Sequence, residues 1–149
     1  MKYTIKRISA GEDELCLQYV NMTPEVERVI RFMNGEQTKL MGWKEKTLTV
    51  LEQHEILYIE SVDGRTFAYT EKEELKLDYT LSQYEQLLCG INFFRCSKSM
   101  IINIDKVRHL RSLSSNRIDA TMCNGEHIMI SRTYASDFRK RLKGGVRDE

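Results

Sequence analysis

The sequence predicts a mainly β fold, α+β overall, in which a few short helices interrupt a long series of strands. Three observations support this prediction. Short runs of β-branched and aromatic residues alternate with polar ones through most of the chain after residue 42. Turn-forming pairs such as Asp63-Gly64 and Asn124-Gly125 separate these runs. Helical spacing of apolar residues is confined to three stretches.

The first 41 residues predict a small strand–strand–helix unit. Residues 2–9 and 15–19 alternate in the manner of strands. Thr23-Pro24 then opens a helix, with threonine as N-cap and proline at the first helical position, and Asn34-Gly35 ends it. A unit of this size cannot bury a core alone. We therefore expect it to dock on the rest of the chain or on another copy.

Residues 42–149 are predicted to form the main domain, which is largely β. A capping box, Thr80 to Gln83, opens a helix that Gly90 closes, and a basic helix at 133–143 ends the domain. The remaining pattern predicts strands around Trp43–Val50 and at 56–62, 66–70, 74–77, 93–95, 100–103, 107–113, 117–123 and 127–130.

Composition indicates an ordinary soluble protein of the cytoplasm. The chain of 149 residues is 41% hydrophobic and 30% charged, which is typical of a folded globular protein. No apolar run approaches the roughly 20 residues that span a bilayer, and the N-terminus lacks the apolar core of a signal peptide.

The charge is unevenly distributed. Residues 91–149 hold 12 Lys and Arg against 6 Asp and Glu, whereas residues 1–90 hold 11 against 16. In the basic part, the polar segment Cys96–Ser99 lies between apolar flanks, and Ser131-Arg132 ends another apolar run. Two basic loop tips on one β scaffold indicate a surface that binds an anionic partner such as a polyanion. A solvated basic face is the alternative.

No catalytic, metal or cofactor site is predicted. The four cysteines are scattered without a Cys-x-x-Cys pair, the three histidines are isolated, and no nucleotide-binding loop or nucleophile motif is present. We expect no catalysis, no metal, no cofactor and no small-molecule substrate. Cys96 is the exception to test, because the neighbouring Arg95 and Lys98 would lower the pKa of an exposed thiol and favour redox chemistry.

Residues 42–149 resemble the LytTR family of bacterial DNA-binding domains. The resemblance is carried, in order and spacing, by 55–60 (EILYIE), 93–107 (FFRCSKSMIINIDKV), 124–126 (NGE), 130–134 (ISRTY) and the basic closing helix. The whole chain is similar to the stand-alone regulators of that family, so no receiver domain and no phosphorelay control are expected.

The resemblance implies an elongated fold of stacked β-sheets that inserts loops, rather than a recognition helix, into successive major grooves of double-stranded DNA. Three loops then carry the binding residues, which by position are Arg65 in the first, Ser97, Lys98 and Ser99 in the second, and Ser131 and Arg132 in the third. Arginine can contact guanine bidentately, and serine hydroxyls suit phosphate oxygens. Lys98 departs from family members with Asn there, which makes it a candidate for altered base preference.

The expected function is therefore sequence-specific binding to promoter repeats and regulation of transcription. A homodimer formed through the N-terminal unit is expected, and the family also suggests a small inhibitory membrane protein as a partner. The alternative is a protein-interaction module or anti-activator that has the same fold but has lost DNA binding. Asn103 is expected to cap a strand end, and Arg95 either contacts phosphate or braces its loop.

Overall fold

A computed structural model describes residues 1–34, 39–88 and 92–144. The chain divides into two compact units, Met1–Gln37 and Thr38–Glu149. The sequence placed this boundary after residue 41.

The N-terminal unit contains one helix, α1 (Pro24–Met33). The hydroxyl of Thr23 accepts a hydrogen bond from the Val26 amide at 3.2 Å, and the first turn is acidic, so the helix has the N-terminus that the sequence predicted. Asn34 caps its C-terminal end. The other predicted stop residue, Gly35, lies outside the described residues.

The two strands predicted before α1 are absent, which corrects the sequence interpretation. Residues 1–23 are described throughout and adopt no regular secondary structure. Their apolar side chains are largely exposed: Tyr3 is 84% exposed, Ile5 76% and Val20 94%. Alternation creates a strand only where a partner strand and a core are available, and an isolated two-stranded ribbon is marginal in water.

The second unit is mostly β-sheet with short helices, as predicted. A seven-stranded antiparallel sheet has the order β2-β1-β5-β4-β3-β7-β6, and a three-stranded sheet has the order β10-β9-β8. The strands are β1 (Leu40–Lys44), β2 (Thr47–Leu51), β3 (Ile56–Val62), β4 (Arg65–Thr70), β5 (Glu74–Leu77), β6 (Phe93–Ser97), β7 (Met100–Asn103), β8 (Val107–Ser112), β9 (Ile118–Met122) and β10 (His127–Ile130). The helices are α2 (Leu81–Leu88) and α3 (Arg132–Gly144).

Apolar cores cover both faces of the large sheet. On one face, Ile59, Phe93 and Ile101 pack with α2 through Tyr84 and Leu88. The other face packs against the small sheet and α3. This second core contains Leu57, Ile102, Ala120, Met122, Ile130 and Phe138, and Phe94 meets Phe138 edge-on at 5.3 Å. The stacking of the two sheets agrees with the predicted fold class.

Two local predictions are confirmed in detail. The Thr80 amide donates to the Gln83 side chain at 2.9 Å, and the Gln83 amide donates back to the Thr80 hydroxyl at 3.3 Å, as a capping box requires. Asn103 is fully buried at the end of β7, where its amide group donates to the Ile56 carbonyl at 2.8 Å. Its side-chain oxygen accepts from the Asp105 amide at 3.1 Å, so it caps the strand end. The predicted helix stop Gly90 lies outside the described residues.

One predicted strand is in fact a hairpin. The stretch around Trp43–Val50 folds into β1 and β2, joined by a turn in which Glu45 adopts φ 56°. Glutamate rarely takes a positive φ, so residue types at this position do not predict a turn.

Candidate nucleic-acid interface

Two hairpin turns lie at the same end of the large sheet. One joins β3 to β4 and leads into Arg65, and the other joins β6 to β7 and contains Lys98 and Ser99. β3 and β7 are paired neighbours, and the Ser61 amide donates to the Ser99 carbonyl at 2.8 Å. In the order β4-β3-β7-β6, the centres of the two turns are two strand spacings apart, which is about 10 Å.

The β3–β4 turn has the geometry that its sequence predicted. Asp63 and Gly64 both have positive φ, 51° and 77°. Two left-handed central residues form the turn type that best matches the twist of a hairpin. The turn places Arg65 at the first position of β4, opposite Val62, with its side chain exposed.

A third segment joins the β6–β7 turn through the backbone. The pairing of β6 with β7 shifts register between Arg95 and Ser97, so Cys96 sits in a bulge. The Cys96 carbonyl accepts from the Ser131 amide at 2.9 Å. The Ser131 carbonyl in turn accepts from the Ala135 amide at 3.0 Å, which places Ser131 immediately before α3.

The three segments form one surface, which we call the basic edge. It consists of Arg65, Ser97, Lys98, Ser99, Ser131 and Arg132. The structure thus brings together all six residues that the sequence nominated for DNA binding, although their contact with DNA stays a prediction.

The cations of the basic edge have no partner among the described residues. The side chains of Arg65, Lys98 and Arg132 are exposed and make no hydrogen bond or ion pair with any residue that the structure describes. Asp63 is the one acidic residue in the stretches 63–65, 97–99 and 131–132. Unpaired cations at one end of a sheet are typical of a surface that binds a polyanion.

Ser97 and Arg95 support the β6–β7 turn. Ser97 is half-buried, and its hydroxyl accepts from the Ser99 amide at 3.2 Å. The Arg95 side chain, only 17% exposed, donates to backbone carbonyls of the turn and to Glu85. Of the two roles left open for Arg95, bracing is the one that these contacts favour. The Glu85 partner was missed because no sequence pattern links positions ten residues apart in a helix and a strand.

The expectation that Cys96 is exposed is wrong. Its side chain is fully buried, and its thiol donates to the Met100 carbonyl at 3.5 Å. Residues 98 and 99 form the exposed part of the turn. Redox chemistry requires an accessible thiolate, and burial removes that access. The structure therefore gives no support to a redox role for Cys96.

Two other cations, Lys44 and Arg111, have partners away from the basic edge. Lys44 pairs with Glu73 at 2.9 Å, and this hydrogen bond raises the pKa of Lys44. Glu73 lies beyond the end of β4 opposite to Arg65. Arg111 lies 4.0 Å from Asp119 on the small sheet. These residues do not extend the basic edge.

The described residues offer little for metal or membrane chemistry. No group of three or more His, Cys, Asp or Glu side chains among them could hold a metal ion. Within the same residues, no helix is both long and apolar enough to cross a bilayer. A cleft of about 450 Å³ lies between the β2–β3 and β4–β5 connections and is lined by residues of both charges, including Glu71, Lys72 and Lys106. It contains none of the six residues of the basic edge.

Comparison with known proteins identifies the family. Residues 46–143 match the family described as the LytTr DNA-binding domain, and this stretch is well over half of the chain. The solved LytTr DNA-binding domain of a Bacillus cereus protein, described as a methyl-accepting/DNA response regulator, superposes with a TM-score of 0.68. It is 26% identical and covers 71% of this chain and 97% of that domain.

Two full-length relatives contain a similar region. The sensory transduction protein LytT of Bacillus cereus is 28% identical over 108 residues, which are 72% of this chain and 44% of LytT. The transcriptional regulatory protein YpdB of Escherichia coli K12 is 24% identical over 100 residues, 66% of this chain and 41% of YpdB. The chain thus spans less than half the length of these relatives.

The fold, with its turns and exposed cations at one sheet end, is that of a DNA-binding domain. The chain belongs to the LytTR family of DNA-binding domains. Families of this kind are typically not enzymatic.

Proposed function

We propose that this protein binds double-stranded DNA in a sequence-specific manner through the basic edge and regulates transcription without catalysis. The observation that carries the proposal is the convergence of Arg65, Lys98 and Arg132 at one end of the fold, exposed and without partners among the described residues. Because these cations would act on the chromosome, we place the protein in the cytoplasm. No cofactor or small-molecule substrate is needed for this activity.

The spacing of the turns suits the major groove of DNA. A groove about 12 Å wide admits a two-stranded β-ribbon. Two turns about 10 Å apart can both reach base edges within one groove of this width. In this proposal Arg65, Lys98 and Arg132 contact bases, while the hydroxyls of Ser99 and Ser131 bind phosphate oxygens and fix the register. Ser97 contributes by holding the turn as well as by any direct contact.

Selection followed by a binding titration tests this proposal. The wild-type protein selects duplexes from a random-sequence library, and fluorescence anisotropy then compares a selected duplex with its scrambled version over a series of salt concentrations. We expect clear discrimination between the two duplexes. For each phosphate contact, the logarithm of the association constant should fall by about 0.9 for every tenfold increase in salt concentration. A wild-type protein that binds both duplexes equally weakly would instead support the alternative, an interaction module that has lost DNA binding.

Single alanine variants test the residues. Arg65→Ala, Lys98→Ala and Arg132→Ala should each lose about tenfold discrimination at one base pair, as expected for the loss of one base contact. Lys72→Ala is the matched control, because Lys72 is an exposed lysine beyond the end of β4 opposite to Arg65. The control should stay within about twofold of wild type.

We further propose that the N-terminal unit forms a homodimer. The motivating observation is its apolar surface: besides the residues before α1, Phe32 on the helix itself is 76% exposed. Exposed apolar patches of this kind mark interaction sites. Analytical ultracentrifugation of the full chain and of Phe32→Glu should show a dimer and a monomer, respectively. If both were monomers, the surface would be available for the inhibitory membrane protein that the family suggests, and co-purification with that partner would test this role.

A further inference from the structure

The β6–β7 turn does not have the backbone conformation that two-residue hairpins favour. Such turns prefer positive φ at a central residue, as Asp63 and Gly64 provide in the β3–β4 turn. In the part of the chain that the structure describes, the non-glycine residues with positive φ are Glu45, Asp63, Ser115 and Asn116. Neither Lys98 nor Ser99 is among them. The conformation of this turn must therefore be held by contacts outside its own two residues.

Besides Ser61 and Ser97, which bond Ser99, Arg95 supplies two of the contacts that hold this turn. Its Nε donates to the Ser97 carbonyl at 2.7 Å, and one terminal nitrogen donates to the Lys98 carbonyl. The other terminal nitrogen donates to the Glu85 carboxylate of α2 at 3.2 Å. The planar guanidinium thus bonds the two successive carbonyls of Ser97 and Lys98 and is anchored to a helix that packs on β6. A flexible lysine ammonium could not reproduce this fork.

We propose that Arg95 and Glu85 are positioning residues that set the base preference of the β6–β7 turn without touching DNA. This inference rests on the proposed function, since it concerns how Lys98 is presented to a base. The guanidinium fixes the carbonyl of residue 98 while the side chain of the same residue remains exposed. Displacement of a reading group by about 1 Å weakens a hydrogen bond to a base edge, because hydrogen-bond strength depends steeply on distance and angle.

Substitution of Glu85 distinguishes a positioning role from a simple effect of its charge on DNA affinity. Its side chain is 40% exposed and negatively charged, so it opposes a polyanion nearby. If charge alone mattered, Glu85→Gln would strengthen binding to every duplex. If Glu85 anchors Arg95, the same substitution loosens the turn and lowers discrimination between the selected and the scrambled duplex.

The experiment uses the full chain and the selected and scrambled duplexes described above. Glu85→Gln should lower discrimination about threefold, as expected for a partly exposed ion pair. Arg95→Lys keeps the charge but loses the fork, and should lower discrimination about tenfold. The slope of affinity against salt should stay at the wild-type value in both variants, because no phosphate contact is lost.

A double-mutant cycle tests whether the effect passes through Lys98. In the Lys98→Ala background, Glu85→Gln should have no further effect on discrimination, since the reading group is already absent. The inference is overturned if the two effects simply add, or if Glu85→Gln tightens binding to both duplexes alike. It is also overturned if Arg95→Gln lowers the salt slope by about 0.9, which would mark a direct phosphate contact.

Thermal unfolding tests the alternative that Arg95 has a purely structural role. If Arg95→Lys lowers the melting temperature while discrimination is unchanged, Arg95 only stabilises the fold and the proposal fails. Should Arg95→Gln not fold, Arg95→Lys and the milder Glu85→Gln still decide the question. Failure of the proposed function would look different, because the wild-type protein itself would then not discriminate between the two duplexes.

Discussion

Replacement of Arg132 by alanine should raise the stability of this domain while it impairs DNA recognition. Arg132 is the first residue of α3, is exposed, and has no partner among the described residues. A cation beside a helix N-terminus opposes the helix dipole by about 0.3–1 kcal/mol, and alanine is the best helix former. The free energy of unfolding should therefore increase by about 0.5 kcal/mol.

The same substitution should cost more free energy of base discrimination than it adds to the free energy of unfolding. A bidentate arginine–guanine contact contributes about 1–3 kcal/mol of discrimination, so the variant should lose about 5- to 150-fold preference at one base pair. Binding to scrambled duplexes should change little, because the lost contact reads a base rather than the backbone. Both effects together would show that Arg132 serves DNA recognition at a cost to helix stability.

Urea unfolding and anisotropy titration of the same preparation measure both effects. Lys140→Ala is the control, because Lys140 is an exposed cation in the C-terminal half of the same helix, where the dipole favours positive charge. It should leave base preference intact and change stability by no more than about 0.5 kcal/mol. The reasoning is refuted if Arg132→Ala loses more than about 1 kcal/mol of stability, or if it weakens all duplexes equally.

Other predictions concern the scaffold. Asn103→Leu should destabilise the fold by about 3 kcal/mol, because it leaves the Ile56 carbonyl without its 2.8 Å donor; a neutral result in urea unfolding would contradict the capping role. Gly42→Ala should cost about 2 kcal/mol in thermal unfolding, since an added Cβ would lie 2.8 Å from the Leu75 Cβ; an unchanged melting temperature would show that the strands can separate there. Burial, with a contribution from Glu60, raises the pKa of Tyr69 to about 12. The unfolded chain therefore loses this proton first, near pH 10, so stability should fall as the pH rises from about 10 to 12, and less steeply in Tyr69→Phe.

Local chemistry was readable from the sequence wherever neighbouring residues determine it. The capping box at Thr80 and the turn at Asp63-Gly64 depend on side chains within a few positions, and both occur as predicted. The prediction of strands before α1 failed because alternation of apolar and polar residues indicates an apolar strand face but cannot supply a partner strand. The turn at Glu45 was missed because tertiary pairing forces a conformation that glutamate does not favour.

The candidate site shows the same limit. The order of the three loops was recognisable from residue types, and the structure brings their residues together at one sheet end. The burial of Cys96 depends on a bulge, and the Arg95–Glu85 pair depends on how α2 packs on β6. Contacts of this kind depend on the tertiary fold, so no short sequence motif predicts them.

The hydrogen bond between the Ser131 amide and the Cys96 carbonyl has a consequence for how such a protein can evolve. It joins two loops through main-chain atoms, so the distance between Lys98 and Arg132 does not depend on which side chains those positions carry. Substitution at either position can then change the preferred base while the spacing between the bases that are read stays constant. We expect related proteins with this hydrogen bond to prefer different bases in their binding sites but to share the spacing between the bases that they contact.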